Sequence, residues 1–468
     1  MRLVVVGGGI AGLTAAHRAV EISRERETAL ELTVLEARDR LGGTIETEHA
    51  GGFLVETGPD SFLSEKPWGL ALCRRLGIED RLVRTDDRFR KTFVWHGGRL
   101  HPLPEGFQLL APTRLFSFVA SPLFTWRGKL RMALDLVLPR GGENGDESLG
   151  AFVRRRLGRE ALERVAQPLV AGIYTADPDA LSVAAAIPRF RELERQHRSL
   201  ILGLWRAARR APQTGTSGAR WSLFVTFRDG MSELVEALAG RLPPGAVSLK
   251  QRAIGLTRDR GRWAVATADG ARLDADHVIV VTEAYAAASM LRPLDGELGT
   301  LLDAIPYASS ATVSLGYRRA DIPHPLDGFG FVVPRTEGRA ILACTFSSVK
   351  YPGRAAPEHA LLRCFVGGAL DAAAADADDE TLATRARADL TAALGVRAAP
   401  VLVRVARWPR SMPQYQLGHL ARAEAIARRV DGLPGLGLAG GGYRGVGIAD
   451  CVHSGETAAV RAFGTMAP

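Results

Sequence analysis

The chain opens with Leu3-Val4-Val5-Val6, turns through Gly7-Gly8-Gly9-Ile10-Ala11-Gly12, and runs on into a periodic apolar segment. The β-branched run reads as a buried strand, and Leu13–Ala19 as part of the helix that the turn opens. In the spacing Gly7-x-Gly9-x-x-Gly12 each glycine has its own task. The first permits the tight turn, the second lets a pyrophosphate reach the backbone, and the third lets helix and strand pack closely. The helix N-terminus then presents free N–H groups and a positive dipole end to phosphates. Glu31–Leu35 reads as a second strand that ends at Glu36, where a carboxylate accepts hydrogen bonds from a ribose hydroxyl. A glycine triplet alone is a weak signal. Strand, turn, helix, strand and acid together predict a dinucleotide-binding β-α-β unit.

The residues after the acid narrow the cofactor. "ARDRLGG" gives Glu36-x-x-x-Arg40-x-Gly42-Gly43-Thr44. A nicotinamide enzyme needs no second glycine pair there. The extension resembles that of monoamine-oxidase-like flavin oxidases, in which it wraps the diphosphate and ribityl chain. A plain β-turn at Gly42-Gly43 is the rival reading, and "GGFLVETGPDSF" weighs against it. Gly58-Pro59-Asp60-Ser61 looks like a further backbone segment that passes close to a flat ring.

Near the other end lies "GLAGGGYRGVGIADC", and seven of the thirteen residues from Gly435 to Gly447 are glycine. A helix-entry turn needs one or two. This many let the backbone lie against a ring without Cβ clashes. The helix that follows aims its positive end at that ring. FAD is therefore the expected cofactor: the first glycine loop holds its diphosphate and the second meets its isoalloxazine.

At 468 residues the chain suggests two or three domains. Its 46% apolar and 24% charged residues are ordinary for a globular protein. Cys73, Cys344, Cys364 and Cys451 lie far apart without a C-x-x-C pair, which argues against a metal site or a disulfide framework and fits a reducing compartment. Neither a cleaved secretion signal nor a transmembrane run is expected. The net charge of +9 reads either as a solvated basic surface or as attraction to an anionic membrane or an acidic substrate. Nucleic acid is not expected, because no basic tract is interleaved with stacking aromatics.

The expected fold class is α/β with an α+β substrate domain. A discontinuous Rossmann-like FAD-binding domain is drawn from 1–85, 215–280 and 405–468. A β-rich substrate-binding domain spans 281–404. A helical insertion spans 86–214, its short helices broken by Pro112, Pro122 and Pro139. "GENGDES" (142–148) reads as a loop and "APQTGTSGAR" (211–220) as a linker.

Over nearly its full length the chain resembles the oxygen-dependent protoporphyrinogen oxidase family, including its coproporphyrinogen-oxidising branch. The stretches that carry this are "VVVGGGIAGLTAAH", "LEARDRLGGTI", "VETGPDSFL", "PLVAGIYTADPDALSV", "ELERQHRSLILG", "DGFGFVVP", "RWPRSMPQYQLGHL" and "GGGYRGVGIADC". "PQYQLGH" and "GIYTADP" are the most particular. The resemblance implies that Glu36 and Ala37 meet the adenosine ribose, Thr44 the diphosphate side, and the backbone of Ala253 the adenine. Trp408, Gly441 and the Val446-Gly447-Ile448 segment would meet the flavin, although a Trp beside Pro is also a common core anchor.

The resemblance also supplies the substrate, a porphyrinogen oxidised to the aromatic porphyrin. This is a six-electron change that one flavin makes in three cycles, with molecular oxygen reduced to hydrogen peroxide or a quinone in its place. Such a macrocycle needs apolar walls and cations at the rim. Phe329 and Val332 are expected to form one wall, and Gly172 to face the pyrrole N–H groups; core packing and helix termination are the rival readings. Where many relatives carry an arginine for a propionate, this chain has Thr92 flanked by Arg90 and Lys91. No catalytic base and no metal are nominated, and His197 reads as a surface residue.

Protoporphyrinogen IX is the first substrate reading and coproporphyrinogen III the second. A flavin amine oxidase or desaturase, or a flavin-free partner-binding protein of the same fold, are the more distant ones. A cytoplasmic monomer or homodimer is expected, with Phe107–Arg140 able to touch a membrane surface.

Overall fold

The computed structural model describes residues 1–104, 107–108, 111–112, 115–141, 145–210 and 223–464. The linker expected at 211–220, residues 142–144 of the polar loop and part of the Phe107–Arg140 segment lie outside them.

Five parallel strands form the first sheet, in the order Val247–Ser248, Glu31–Leu35, Arg2–Val6, His277–Val280, Leu436–Leu438. Leu3, Val4, Val5 and Val6 are all buried because helices cover both faces, as a parallel sheet requires. The N-terminal helix (Ile10–Glu25) and the C-terminal helix (Ile448–Gly464) lie on one face. They cross in backbone contact: a Cβ on Gly455 would fall 2.1 Å from the carbonyl oxygen of Ala11. The helices that follow the two glycine loops are thus locked together.

On the other face lie the helices Ala284–Leu291 and Gly296–Asp303, whose Ala284, Ala287, Leu291, Leu298 and Leu302 pack with Val4, Val6, Val278 and Val280. Residues 284–303 therefore share the core of the parallel sheet, although the sequence reading drew a boundary at 281.

The second sheet has seven strands, in the order Leu402–Pro413, Tyr307–Arg318, His359–Gly367, Ala343–Phe346, Gly330–Val332, Thr92–His96, Arg99–Pro102. The last two come from the segment expected to be helical from residue 86. Their alternation is short; the two pair with each other as a hairpin, and the long-range pairing of Thr92–His96 with Gly330–Val332 joins them to the sheet.

Register sorts this sheet into two faces. Phe93, Val313, Phe331, Cys344 and Cys364 pack at the back with Leu382, Ala386 and Leu390 of the helix Asp379–Leu394. That helix starts at Asp378, whose side chain accepts from Thr381 N at 2.8 Å, and stops at Gly395 with φ of 75°. Thr92, Gly330, Thr345, Arg363 and Ser314 form one row of the front face. Val94, Val332, Ala343, Phe365 and Thr312 form the next.

Short helices from 115 to 210 build a separate core around Phe152, Val153, Leu162, Val165 and Leu200, which also takes in Val332 and Ala343. At its centre the fully buried Arg156 donates to Asp135 Oδ1 at 2.6 Å. The remaining Asp135 oxygen accepts from Ser199 Oγ at 2.6 Å and Ile201 N at 3.0 Å.

Candidate functional site

Gly9 precedes the N-terminal helix with φ −72° and ψ 177°, and no side chain caps the helix. The first N–H groups are left for a ligand. A Cβ on Gly9 would meet only the Cα of Gly43, at 3.9 Å, so one side of this turn is open. Its other contacts are tight. A Cβ on Gly12 would lie 1.9 Å from Gly7 O, and one on Gly8 would lie 2.6 Å from Leu41 Cδ2. Gly42 N donates to Gly8 O at 2.9 Å, which lays the second glycine pair alongside the first loop.

Glu36 is fixed by Gly8 N (2.7 Å) and Arg38 N (2.8 Å), one on each oxygen, and each oxygen keeps a lone pair free. Exposed Ala37 follows it. Gln251 N donates to Glu36 O at 2.8 Å, which brings Ala253, at the start of the strand Ala253–Asp259, into the same neighbourhood. Arg40 has a structural duty in its own loop. Its guanidinium donates to Leu41 O and Ile45 O and pairs with Glu46 at 3.1 Å, so it shapes the 41–46 loop.

This cradle matches the ends of a dinucleotide: open backbone N–H groups beside two glycine turns, and a fixed acid one strand away. The middle of the site is where Thr44 and Gly58 touch. A Cβ on Gly58 would fall 1.6 Å from Thr44 O. Thr57 O accepts from Trp408 Nε1 (2.9 Å), Thr312 Oγ1 (3.0 Å) and Arg363 (3.4 Å), so the front face of the second sheet clamps this segment. Asp60, next to Pro59, pairs with Lys350 at 3.1 Å and accepts from Ser61 Oγ at 2.6 Å. Burial works to raise the Asp60 carboxyl, but Lys350 and then Arg363 overcome it and hold it well below the usual carboxylate range. Nearby, burial pushes Glu56 up to about 6.

The C-terminal loop is held by two residues of "PQYQLGH". Tyr415 OH donates to Gly441 O at 2.6 Å and accepts from Gly445 N at 2.7 Å. Its ring stacks on His419, at 3.9 Å and 15°, and His419 Nε2 lies 2.9 Å from Tyr443 O. The family-particular motif is thus a buckle across the glycine loop. Val446 packs toward the helical core, Gly447 is exposed, and Ile448 is buried at the helix start. We expect Tyr415→Phe to weaken FAD retention by roughly tenfold, since a part-buried N–H and a part-buried C=O each lose a partner. Flavin release during dialysis measures this, and an unchanged off-rate would show that the buckle is dispensable.

At the front face, a Cβ on Gly172 would meet Ala343 Cβ at 3.6 Å and Val332 Cγ1 at 3.9 Å. Gly172 lies inside the helix Gln167–Tyr174, and Thr175 with φ of 48° ends that helix, so helix termination is not its role. Phe329 is half-buried; its N donates to Lys91 O and its O accepts from Phe346 N, both at 2.8 Å. Thr92 heads its strand beside Gly330. The Lys91 ammonium pairs with Asp327 at 2.7 Å, and Arg90 pairs with Asp87. His197 ends the helix Pro188–His197, near Arg206. Sequence reasoning missed Arg363 and Thr312, which sit on strands without a motif, and Lys350, which ends the short helix Ser347–Lys350, and treated Tyr415 only as a family marker.

A model of the flavin-containing amine oxidoreductase family matches residues 10–462. The coproporphyrinogen III oxidase of Bacillus subtilis (strain 168) is 35% identical over 457 residues, 97% of this chain and 96% of that protein. The protoporphyrinogen oxidase of Bos taurus is 34% identical over 487 residues, 99% of this chain and 98% of that one. A solved protein of Exiguobacterium sp. 255-15 superposes with a TM-score of 0.86 at 32% identity, covering 98% of each chain.

Proposed function

The chain belongs to the family of flavin-containing amine oxidoreductases, and on that footing we propose that it is an FAD-dependent oxidase converting protoporphyrinogen IX to protoporphyrin IX in tetrapyrrole biosynthesis. The carrying observation is the end-to-end match to porphyrinogen oxidases, which extends through the helical segment and the front face as well as the flavin-binding part. Coproporphyrinogen III is the second reading, favoured by the Bacillus subtilis relative and by a Propionibacterium freudenreichii relative of the same name at 35% identity.

Bound FAD supplies the two-electron oxidation, repeated three times, with molecular oxygen as acceptor. The protein's part is to bind, orient and exclude water. The backbone of Gly7, Gly8, Gly9, Ile10, Ala11 and Gly12 takes the diphosphate and Glu36 the ribose. Gly43 and Thr44 line the middle of the cofactor, Gly58 and Pro59 pass close to its ring, and the Gly441–Ile448 loop backs that ring. Val332, Phe329 and Gly172 form a dry wall for the macrocycle. No side chain is assigned as a base, because pyrrole N–H protons can leave to backbone carbonyls or water. The gain of porphyrin fluorescence with each porphyrinogen in turn tests the reading. No gain with either defeats it, and the ratio of the two rates decides the substrate.

Among the described residues, no helix is long and apolar enough to cross a membrane. Trp126, Leu130, Leu134 and Val137 nevertheless recur at helical spacing as exposed apolar residues, and Phe116, Arg127 and Arg140 of the same segment are exposed as well. We assign these residues to docking on an anionic membrane surface. Trp126→Glu/Leu130→Glu is expected to abolish co-sedimentation with phosphatidylglycerol vesicles. Failure of the unaltered protein to co-sediment removes the assignment.

A further inference from the structure

Arg363 projects from the front face of the second sheet and is only 5% exposed. It donates to Thr57 O at 3.4 Å and to Gly58 O, and its guanidinium carbon lies 4.8 Å from the Phe365 ring centroid. Its Nε has no hydrogen-bond partner. Two carboxylates lie in this neighbourhood, and each already has a cation: Asp60 has Lys350 at 3.1 Å, and Glu56 has Arg354 at 3.9 Å. Among the described residues no carboxylate comes within 4.0 Å of Arg363; Asp60 and Glu56 act on it only from farther off and each is already paired, so these five groups carry one more cation than anion. A buried cation whose nearest carboxylates are held by other cations is costly unless a further anion arrives to meet it.

Two anions could do so, a carboxylate arm of the substrate or the reduced cofactor. The arms of a macrocycle belong at a rim open to water, and Arg363 is sealed. Thr92, the position expected at the propionate end, lies three strands away in the same row, about 14 Å at 4.7–4.9 Å per strand. Arg363 instead hangs on the carbonyls of Thr57 and Gly58, the segment assigned above to the cofactor.

We infer that Arg363 supplies the buried positive charge that stabilises the negative charge FAD gains on reduction. The inference rests on the flavin reading. The charge balance is simple: two electrons and one proton leave the substrate for the flavin ring, and the ring is left with one negative charge. A fixed cation in a dry site favours that product and raises the midpoint potential of the bound flavin.

The test compares Arg363→Met, Arg363→Lys and Thr345→Asp by two readouts, the midpoint potential and the affinity for sulfite, which adds to oxidised flavin to form an anion. Arg363→Met is expected to hold FAD at a more negative potential and to bind sulfite about tenfold more weakly or worse. Arg363→Lys should stay near the unaltered protein. Thr345 is the cross-strand partner of Arg363, so a carboxylate there neutralises the guanidinium in place and should shift both readouts as Met does. Should Arg363→Met lose its FAD, Thr345→Asp decides the matter. Unchanged potential and sulfite affinity would overturn the inference. So would a raised KM for the porphyrinogen at unchanged potential, which would make Arg363 a substrate anchor. An unaltered protein that carries no FAD at all would instead sink the flavin reading.

Discussion

Gly58→Ala is expected to purify without FAD, its flavin absorbance lost and its FAD affinity reduced at least about 100-fold. The added methyl would sit 1.6 Å from Thr44 O. That oxygen belongs to backbone and cannot rotate away as a side chain would. On the far side, Trp408 Nε1, Thr312 Oγ1 and Arg363 hold the carbonyl of Thr57 against the second sheet, so the segment cannot retreat either. The clash must therefore open the gap between the 42–44 turn and the 57–61 segment, where the middle of the cofactor would lie. Gly52→Ala is the control: no atom lies within 4 Å of its Cβ position, although its φ of 82° adds some local strain. FAD content per polypeptide, read from the absorbance of the denatured protein, measures both. Full FAD content in Gly58→Ala would show that the two segments part without cost.

The second large effect concerns stability. Asp135→Ala should destabilise the helical segment by about 3–5 kcal/mol. Arg156 is fully buried and also donates to Pro139 O at 2.8 Å, Asp135 O at 2.8 Å and Arg198 O at 2.6 Å. Without the carboxylate the buried guanidinium is left with Glu194 alone as counter-charge, 3.5 Å away and shared with Arg155. Ser199 Oγ and Ile201 N lose their acceptor in the same step. Asp135→Asn keeps an acceptor oxygen and should cost less. Urea unfolding with limited proteolysis between 115 and 210 measures the change. An unmoved midpoint would mean that solvent reaches Arg156.

The flavin-binding half was the more legible in the sequence. The run Leu3–Val6, the glycine turn and Glu36 are local signals whose meaning depends on neighbours a few residues away. The same holds for the glycines from Gly435 to Gly447. Arg40 shows the limit of such reading. Its spacing suggests a ligand contact and says nothing of the brace its side chain forms across its own loop. The strands Thr92–His96 and Arg99–Pro102 show another limit. They carry too little periodicity to declare themselves, and pairing with a segment more than two hundred residues away makes them part of the sheet.

By itself the sequence determined the parallel-sheet flavin fold, and it led to the expectation of a two-ended hold on the cofactor. Both rest on short-range patterns of glycine, acid and apolar residues that physics ties to one backbone conformation, whereas the family was legible only as a resemblance carried by stretches such as "PQYQLGH" and "GIYTADP". Only the tertiary structure decided that Gly58 abuts Thr44, that Tyr415 buckles the glycine loop, and that Arg363 lies beneath the Thr57-Gly58 carbonyls with no carboxylate of its own. Those relations depend on strand register and on which face a side chain takes. Register is set by the packing of the whole sheet, and no local stretch of sequence contains it.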